Sequence, residues 1–259
     1  AVVRRRNRPP GPLYNPPTST LRPTGTDRPV IYICIPTHNE ATTIGVLMWK
    51  ARKVLGEFGR DYRFLVLDDA STDDTPEVLA RYRRKLPLTV IRSEERLGYA
   101  RAVERLLREA VDQAPYPKRD CAVVLQADFT ENPDDVVSLV KVFEGGADIV
   151  AGCAPGTFSA PRAVQRVRRY ARLAMGGAWG TAPVSDPLTG LRAYRIIVLK
   201  KALRELAEGE PLLRTEGWAS SVELLGKLAP HARRIEESPL EPRYELQTRP
   251  SRLRWGRTL

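Results

Sequence analysis

The chain is predicted to belong to the α/β class, as a doubly wound, mostly parallel sheet in a single domain. Three observations predict it. Short apolar, β-branched runs recur at Val30–Ile35 (VIYICI), Tyr62–Leu67 (YRFLVL) and Cys121–Leu125 (CAVVL), too short for helices and bounded by polar residues. Segments with helical spacing separate them, and strands alternating with helices indicate a parallel sheet. Each of these runs also stops abruptly at acidic or polar residues: PTHNE, DDASTDD and QADFTEN.

Taken in order, residues 1–29 are rich in Pro, Arg and Thr (RRRNRPPGP, NPP). They lack the apolar surface that would offset ordering entropy, so they read as an extended arm. The first strand, from Val30, is followed by a helix over Ala41–Phe58 with Ile44, Leu47, Met48, Ala51, Val54 and Leu55 on its apolar face. After the second strand, Thr75 and Pro76 read as an N-cap followed by the first helical position, opening a helix to Arg84. A third strand at Leu88–Ile91 precedes a helix over Tyr99–Gln113, and the Cys121 strand precedes a helix over Pro133–Phe143. A fifth strand is expected at Asp148–Ala151, and an Arg-rich amphipathic helix at Pro161–Met175. Ser185–Tyr194 reads as a loop entering an extended segment, with helices at Ile196–Leu206 and Trp218–Leu228. The domain is therefore placed at residues 30–238, with a basic tail at 239–259.

Composition narrows the classes. No run approaches the roughly 18 apolar residues of a membrane-spanning helix, and the N-terminal arginines precede no apolar segment of a secretory signal. Three cysteines, two of them inside strand-like runs, suit buried hydrophobes in a reducing compartment better than a disulfide framework. Two histidines exclude a His-based metal cluster. A cytoplasmic protein is expected. The net charge of +11 suits an acidic partner: an anionic membrane surface, phosphorylated small molecules or nucleic acid. An Arg-rich surface without a particular partner is the plain alternative. No nucleic-acid-binding motif accompanies the charge, so nucleic acid is set aside.

The chemistry concentrates at the strand ends. Glu40 follows the first strand, Asp68 and Asp69 the second, and Asp128 the fourth. In a doubly wound sheet these ends share one edge, where such folds bind ligands. Any single one of these acids is more often a turn cap than a ligand, but three such ends in register are not readily accidental. Clustered carboxylates repel unless a cation or hydrogen-bond donors lie among them. Oxygen ligands suit Mg²⁺ or Mn²⁺ bound jointly with substrate phosphates.

PTHNE, DDASTDDT and QAD, in this order and spacing, resemble the family 2 glycosyltransferases, and most closely their dolichyl- or polyprenyl-phosphate branch. The resemblance spans roughly Val30–Arg254. It implies the GT-A fold and an inverting transfer from a nucleoside-diphosphate sugar, UDP- or GDP-linked, to a polyprenyl phosphate. It assigns nucleotide binding to Pro36, His38, Glu40, Asp68 and Asp69. The family's D-x-D motif falls on Gln126, Ala127 and Asp128, with Asp128 as the ligand for Mg²⁺ or Mn²⁺. RLGYARA (Arg96–Ala102) is similar to the Gly-rich turn opening the third helix. SDPLTGLRAYR resembles the acceptor-side segment, which places Asp186, Thr189, Gly190 and Arg192 near the sugar or acceptor.

Departures from the family pattern matter. Gln126 replaces the first acid of the D-x-D, leaving one direct carboxylate. Thr130 stands where a Gln is common, His38 where a Tyr is usual, and Ala100 where a Gly is usual. AGCAPG lacks the family's Ser-Arg after the fifth strand, so Arg162, Arg166 or Arg192 is expected to supply a phosphate contact. A lipid phosphate is already an anionic nucleophile and needs no strong base. With a hydroxyl acceptor, Asp186 is the candidate catalytic base; its alternative is a turn cap. The Arg166–Arg172 helix, with Trp255 in the tail, suits peripheral contact with an anionic membrane face. Two other readings stay open: a soluble or polymer-bound hydroxyl acceptor, and a non-catalytic nucleotide-binding descendant. A nucleotidyltransferase is disfavoured because no G-G-x-G-T run follows the first strand.

Overall fold

A computed structural model of the chain describes residues 28–154, 166 and 184–241. Four strands, β1 (Val30–Thr37), β2 (Asp61–Asp69), β3 (Leu88–Ser93) and β4 (Cys121–Val124), are separated by α1 (Ile44–Phe58), α2 (Thr75–Arg83) and α3 (Tyr99–Gln113). Next come α4 (Pro133–Glu144) and β5 (Ile149–Cys153). The last part comprises β6 (Arg192–Arg195), α5 (Ile196–Arg204), α6 (Trp218–Leu228), a 3₁₀ turn at Ala229–His231 and β7 (Ile235–Pro239). The strands form one seven-stranded sheet of order β3-β2-β1-β4-β6-β5-β7. The β1–β2, β1–β4, β2–β3 and β5–β7 pairings are parallel, whereas β6 runs antiparallel to both β4 and β5. The sheet is thus mostly parallel, as expected, with one reversed strand wedged into it.

The strands read as unbroken apolar runs because both faces of the sheet are covered. Alternate residues go to opposite sides. Ile31, Ile33 and Ile35 join Leu47, Met48, Leu139 and Val140 in one core layer. Tyr32 and Cys34 join Val103, Leu106, Leu199 and Leu225 in the other. Cys34 and Cys121 are buried free thiols, and burial pushes both thiols up, Cys121 to about 12. They act as small core hydrophobes.

Several boundaries differ from the sequence reading. Helix α2 begins at Thr75, with Asp74 in the cap position. Thr75 does not cap because its hydroxyl is used elsewhere: it accepts from Glu40 N at 2.9 Å and donates to Asp73 Oδ1 at 2.6 Å. Asp148 precedes β5, and its carboxylate is engaged by Arg195 Nε at 2.7 Å and by Arg233 N at 2.8 Å. Strand β7, which no apolar run in the sequence marks, ends at Pro239. Leu240 then packs in the core and donates its amide to Cys153 O at 2.9 Å. Pro239 and Leu240 thus pack with the strand and the core. The rest of the basic tail, the arm before residue 28, and the expected Pro161–Met175 helix except Arg166 lie outside the described residues. Among the described residues, no helix is long and apolar enough to cross a membrane.

Candidate active site

Parallel register brings the acidic strand ends together. Thr37 pairs with Asp68 and Asp69 with Ser93, while Leu125 N donates to Cys34 O at 3.0 Å as β4 leaves the sheet. Three loops thus leave from neighbouring strands at one edge, where α/β sheets offer a crevice. Each carries one non-glycine residue in the left-handed region: Asn39 (φ 54°), Ala70 (φ 52°) and Phe129 (φ 65°). No other described non-glycine residue does so. Backbone held in such conformations concentrates where surrounding contacts over-determine it, as at ligand sites.

The expected nucleotide-side residues do come together, mostly as a hydrogen-bonded frame. His38 Nδ1 lies 2.8 Å from Asp69 O. Asn39 N donates to Ser71 Oγ at 2.9 Å, joining the first two loops. Glu40 is buried just before α1, with Thr43 Oγ1 donating to its Oε2 at 3.0 Å. Asp68 is fully buried; Ser71 N donates to Oδ1 at 3.1 Å, and Arg92 Nη1 stands 3.4 Å from Oδ2. No hydrogen bond among the described residues reaches that buried Oδ2. Asp69 accepts from Leu97 N at 2.6 Å and Gly98 N at 3.1 Å, with Arg96 Nε at 3.6 Å. It therefore pins the turn that opens α3.

That turn depends on a residue the sequence reading passed over. Glu216 presses its carboxylate against the N-terminus of α3, where Ala100 N donates to Oε2 at 3.4 Å. Gly98 has φ 90°, and a Cβ there would lie 2.8 Å from Glu216 Oε1. An acid at a helix N-terminus is favourable. Glu216 lies 116 residues from Ala100, so no local spacing in the sequence relates it to α3.

At the end of β4, Asp128 is half-buried, and its Oδ1 accepts from Thr130 N at 3.1 Å and Thr130 Oγ1 at 2.6 Å. Gln126 is also half-buried, whereas Ala127 between them is buried. The turn closes on Glu131, a buried acid that also escaped the sequence reading. Gln126 N donates to Glu131 Oε2 at 2.8 Å. The Glu131 carboxyl is pushed up to about 8, first by burial against the opposing pull of that amide, with Asp128 adding to the rise and the Leu191 amide opposing it.

On the acceptor side, Asp186 is buried and shapes its own turn: Leu188 N donates to Oδ1 at 3.2 Å and Thr189 Oγ1 to Oδ2 at 2.7 Å. Gly190 is packed against the β4 turn, so that a Cβ would meet Gln126 Nε2 at 3.0 Å and Glu131 Oε1 at 3.1 Å. The Asp186–Gly190 segment and the Gln126–Asp128 turn therefore touch. Arg192 requires correction. It is fully buried, and its guanidinium donates to Ser221 O and Pro187 O. It ties the acceptor loop to α6 and does not present its charge to a phosphate. Arg166 is helical and exposed, and Arg162 lies outside the described residues.

Asp68 and Asp69 are already compensated by amides and arginines. Among the described residues, no three His, Cys, Asp or Glu groups are placed to hold a metal ion. The donor set fits a divalent cation in one manner: a single carboxylate, Asp128, completed by oxygen atoms of the ligand.

Fold and site define a glycosyltransferase-type α/β domain. Residues 32–203, more than half the chain, match the family described as Glycosyl transferase family 2, and the chain belongs to that family. It is 31% identical over 122 residues to the dolichol-phosphate mannosyltransferase of Pyrococcus furiosus, covering 47% of this chain and 32% of that protein. It is 26% identical over 203 residues to an undecaprenyl-phosphate 4-deoxy-4-formamido-L-arabinose transferase of Pseudomonas syringae, covering 75% and 56%. The chain thus spans about half the length of these relatives or less. Among solved structures, glucosyl-3-phosphoglycerate synthase from Mycobacterium tuberculosis, with Mn²⁺, UDP and phosphoglyceric acid, superposes with a TM-score of 0.58 at 21% identity, over 88% of this chain and 72% of that one. Staphylococcus aureus TarS in complex with UDP gives 0.53 at 18% identity, over 82% and 57%. These likenesses establish the GT-A-type fold.

Proposed function

We propose that this domain is an inverting glycosyltransferase that moves a sugar from a nucleoside diphosphate to a polyprenyl phosphate at the cytoplasmic membrane face. The observation that carries the reading is the meeting of the Asp128 turn with the Gly190 segment, which sets a donor loop and an acceptor loop side by side. The names of the two relatives above support a lipid-phosphate acceptor. The basic charge of +11 supports an anionic surface as partner.

In this reading the loops after β1 and β2 hold the base and ribose, and Asp128 lies beside the diphosphate. Mg²⁺ or Mn²⁺ bound there would offset charge on the departing diphosphate. Asp128 holds that site, and Thr130 orients Asp128. A phosphate oxygen of the acceptor attacks the anomeric carbon in line, the carbon–oxygen bond to the diphosphate breaks, and the nucleoside diphosphate leaves. No proton needs to move. The frame of main-chain amides around Asp68 and Asp69 keeps the donor side preorganised.

The test is nucleoside diphosphate release from UDP- and GDP-sugars with Mn²⁺ or Mg²⁺, with and without a short polyprenyl phosphate. Release stimulated by the lipid and lost in Asp128→Ala supports the reading. Release indifferent to the lipid shifts the acceptor to a hydroxyl, with Asp186 as its base. No release from any donor replaces transfer with nucleotide binding alone.

A further inference from the structure

The family pattern places an acid where this chain has Gln126, and the structure places an extra acid directly behind it. The carboxylate of Glu131 accepts from Gln126 N at 2.8 Å, from Gln126 Nε2 at 3.4 Å, and from the amide of Leu191. One side chain therefore grips the main chain and side chain of the first D-x-D position and the acceptor segment together. Tyr99 closes the same space, with its hydroxyl 3.2 Å from where a Gly190 Cβ would stand. The Gln126 amide nitrogen is thus the end of the carboxamide that Glu131 engages, and the oxygen is the end it does not take. Gln126 itself is half-buried, whereas Glu131 is buried.

We propose that Glu131 is a positioning residue that clamps the Gln126 carboxamide with its oxygen toward the donor, so that the Gln126–Glu131 pair replaces the missing acid of the D-x-D. The inference rests on the transferase reading above and deepens it. A carboxamide is ambiguous in its two ends, and it serves as a dependable oxygen donor only when something fixes the amide nitrogen. Glu131 does this while staying out of contact with the ligand. Residues behind a metal-binding position orient it, and losing them typically costs about 10- to 100-fold in metal affinity.

The test measures Mn²⁺-dependent binding of UDP, and in parallel GDP, to the full chain by calorimetry, alongside thermal melting. Glu131→Gln turns an amide group against one of three donors and is expected to weaken Mn²⁺–nucleotide binding about tenfold, with little effect on metal-free nucleotide binding. Combining it with Gln126→Asp restores an acid that the new amide can hold, and binding returns to the wild-type level. Should Glu131→Gln fail to fold, Gln126→Ala, at a half-buried position, is expected to show the same tenfold loss with an unchanged melt. Wild-type affinity in Glu131→Gln or in Gln126→Ala overturns the clamp while leaving the transferase reading intact. Absence of Mn²⁺-dependent binding of either nucleotide in the wild type overturns both.

Discussion

The Glu131 carboxylate takes the main-chain amide of Gln126 at 2.8 Å, which closes the turn that presents Asp128. An acid outside any recognisable pattern thus holds the residue that the pattern picks out. Burial makes the charged form of Glu131 costly, and its position between two loops makes its removal costly too.

The pH dependence of stability follows from this. The Glu131 carboxyl is raised from 4.5 to about 8 on folding, first by burial. Between those values the unfolded chain has released a proton that the folded chain keeps. Its contribution is complete below about pH 4.5 and is lost as pH rises through about 8, at a limiting slope on the order of 1 kcal/mol per pH unit. Denaturant titrations of the metal-free protein from pH 5 to 8 are expected to show that decline, and Glu131→Gln to flatten it. A wild-type profile as flat as the variant's removes Glu131 from this role.

Asp128→Asn is expected to lower donor turnover by about 100-fold or more. Its melting temperature changes little, since the side chain is half-buried and bonded within its own turn to Thr130. Nucleoside diphosphate release and a melt on the same sample separate the two effects. Loss of activity together with collapse of the melt would instead mark Asp128 as structural.

Arg192→Leu leaves the carbonyls of Ser221 and Pro187 without their donor inside the protein. A stability loss on the order of 3 kcal/mol is expected. Equilibrium unfolding measures it. A fully stable variant with a raised KM for acceptor alone would return Arg192 to the phosphate-binding role that its charge suggests.

Gly98→Ala puts a Cβ 2.8 Å from Glu216 Oε1 and holds alanine at φ 90°. Gly98 pairs that φ with ψ 165°, a region essentially reserved for glycine, and the backbone strain alone costs about 1–3 kcal/mol. Adding Glu216→Ala removes the contact but not the strain, so unfolding of the double variant should recover only part of the loss. The donor KM is expected to rise in both, because the same turn is bonded to Asp69.

Much of this was legible in the chain. Strands such as Val30–Thr37 and Asp61–Asp69 announce themselves because a strand buried on both faces must be apolar throughout, and the acids at their ends break that run sharply. Strand β7, IEESP, was not legible: it is largely half-buried and carries two glutamates. Arg192 was misread because residue type reports charge and not burial. Thr75 reads as a cap on local grounds, yet its hydroxyl is drawn to Glu40 N, 35 residues away.

By itself, then, the sequence determined the α/β architecture, the edge at which Glu40, Asp68, Asp69 and Asp128 gather, and the family. Those features rest on periodicity and on motifs read over a few neighbouring residues. The tertiary structure alone decided which charges face the cleft and which are buried as struts. It set Glu216 against the start of α3, Arg192 under the acceptor loop, and Glu131 between Gln126 and Leu191. Such roles depend on contacts between segments up to 116 residues apart, where desolvation and hydrogen-bond geometry, not local spacing, govern what a charged side chain does.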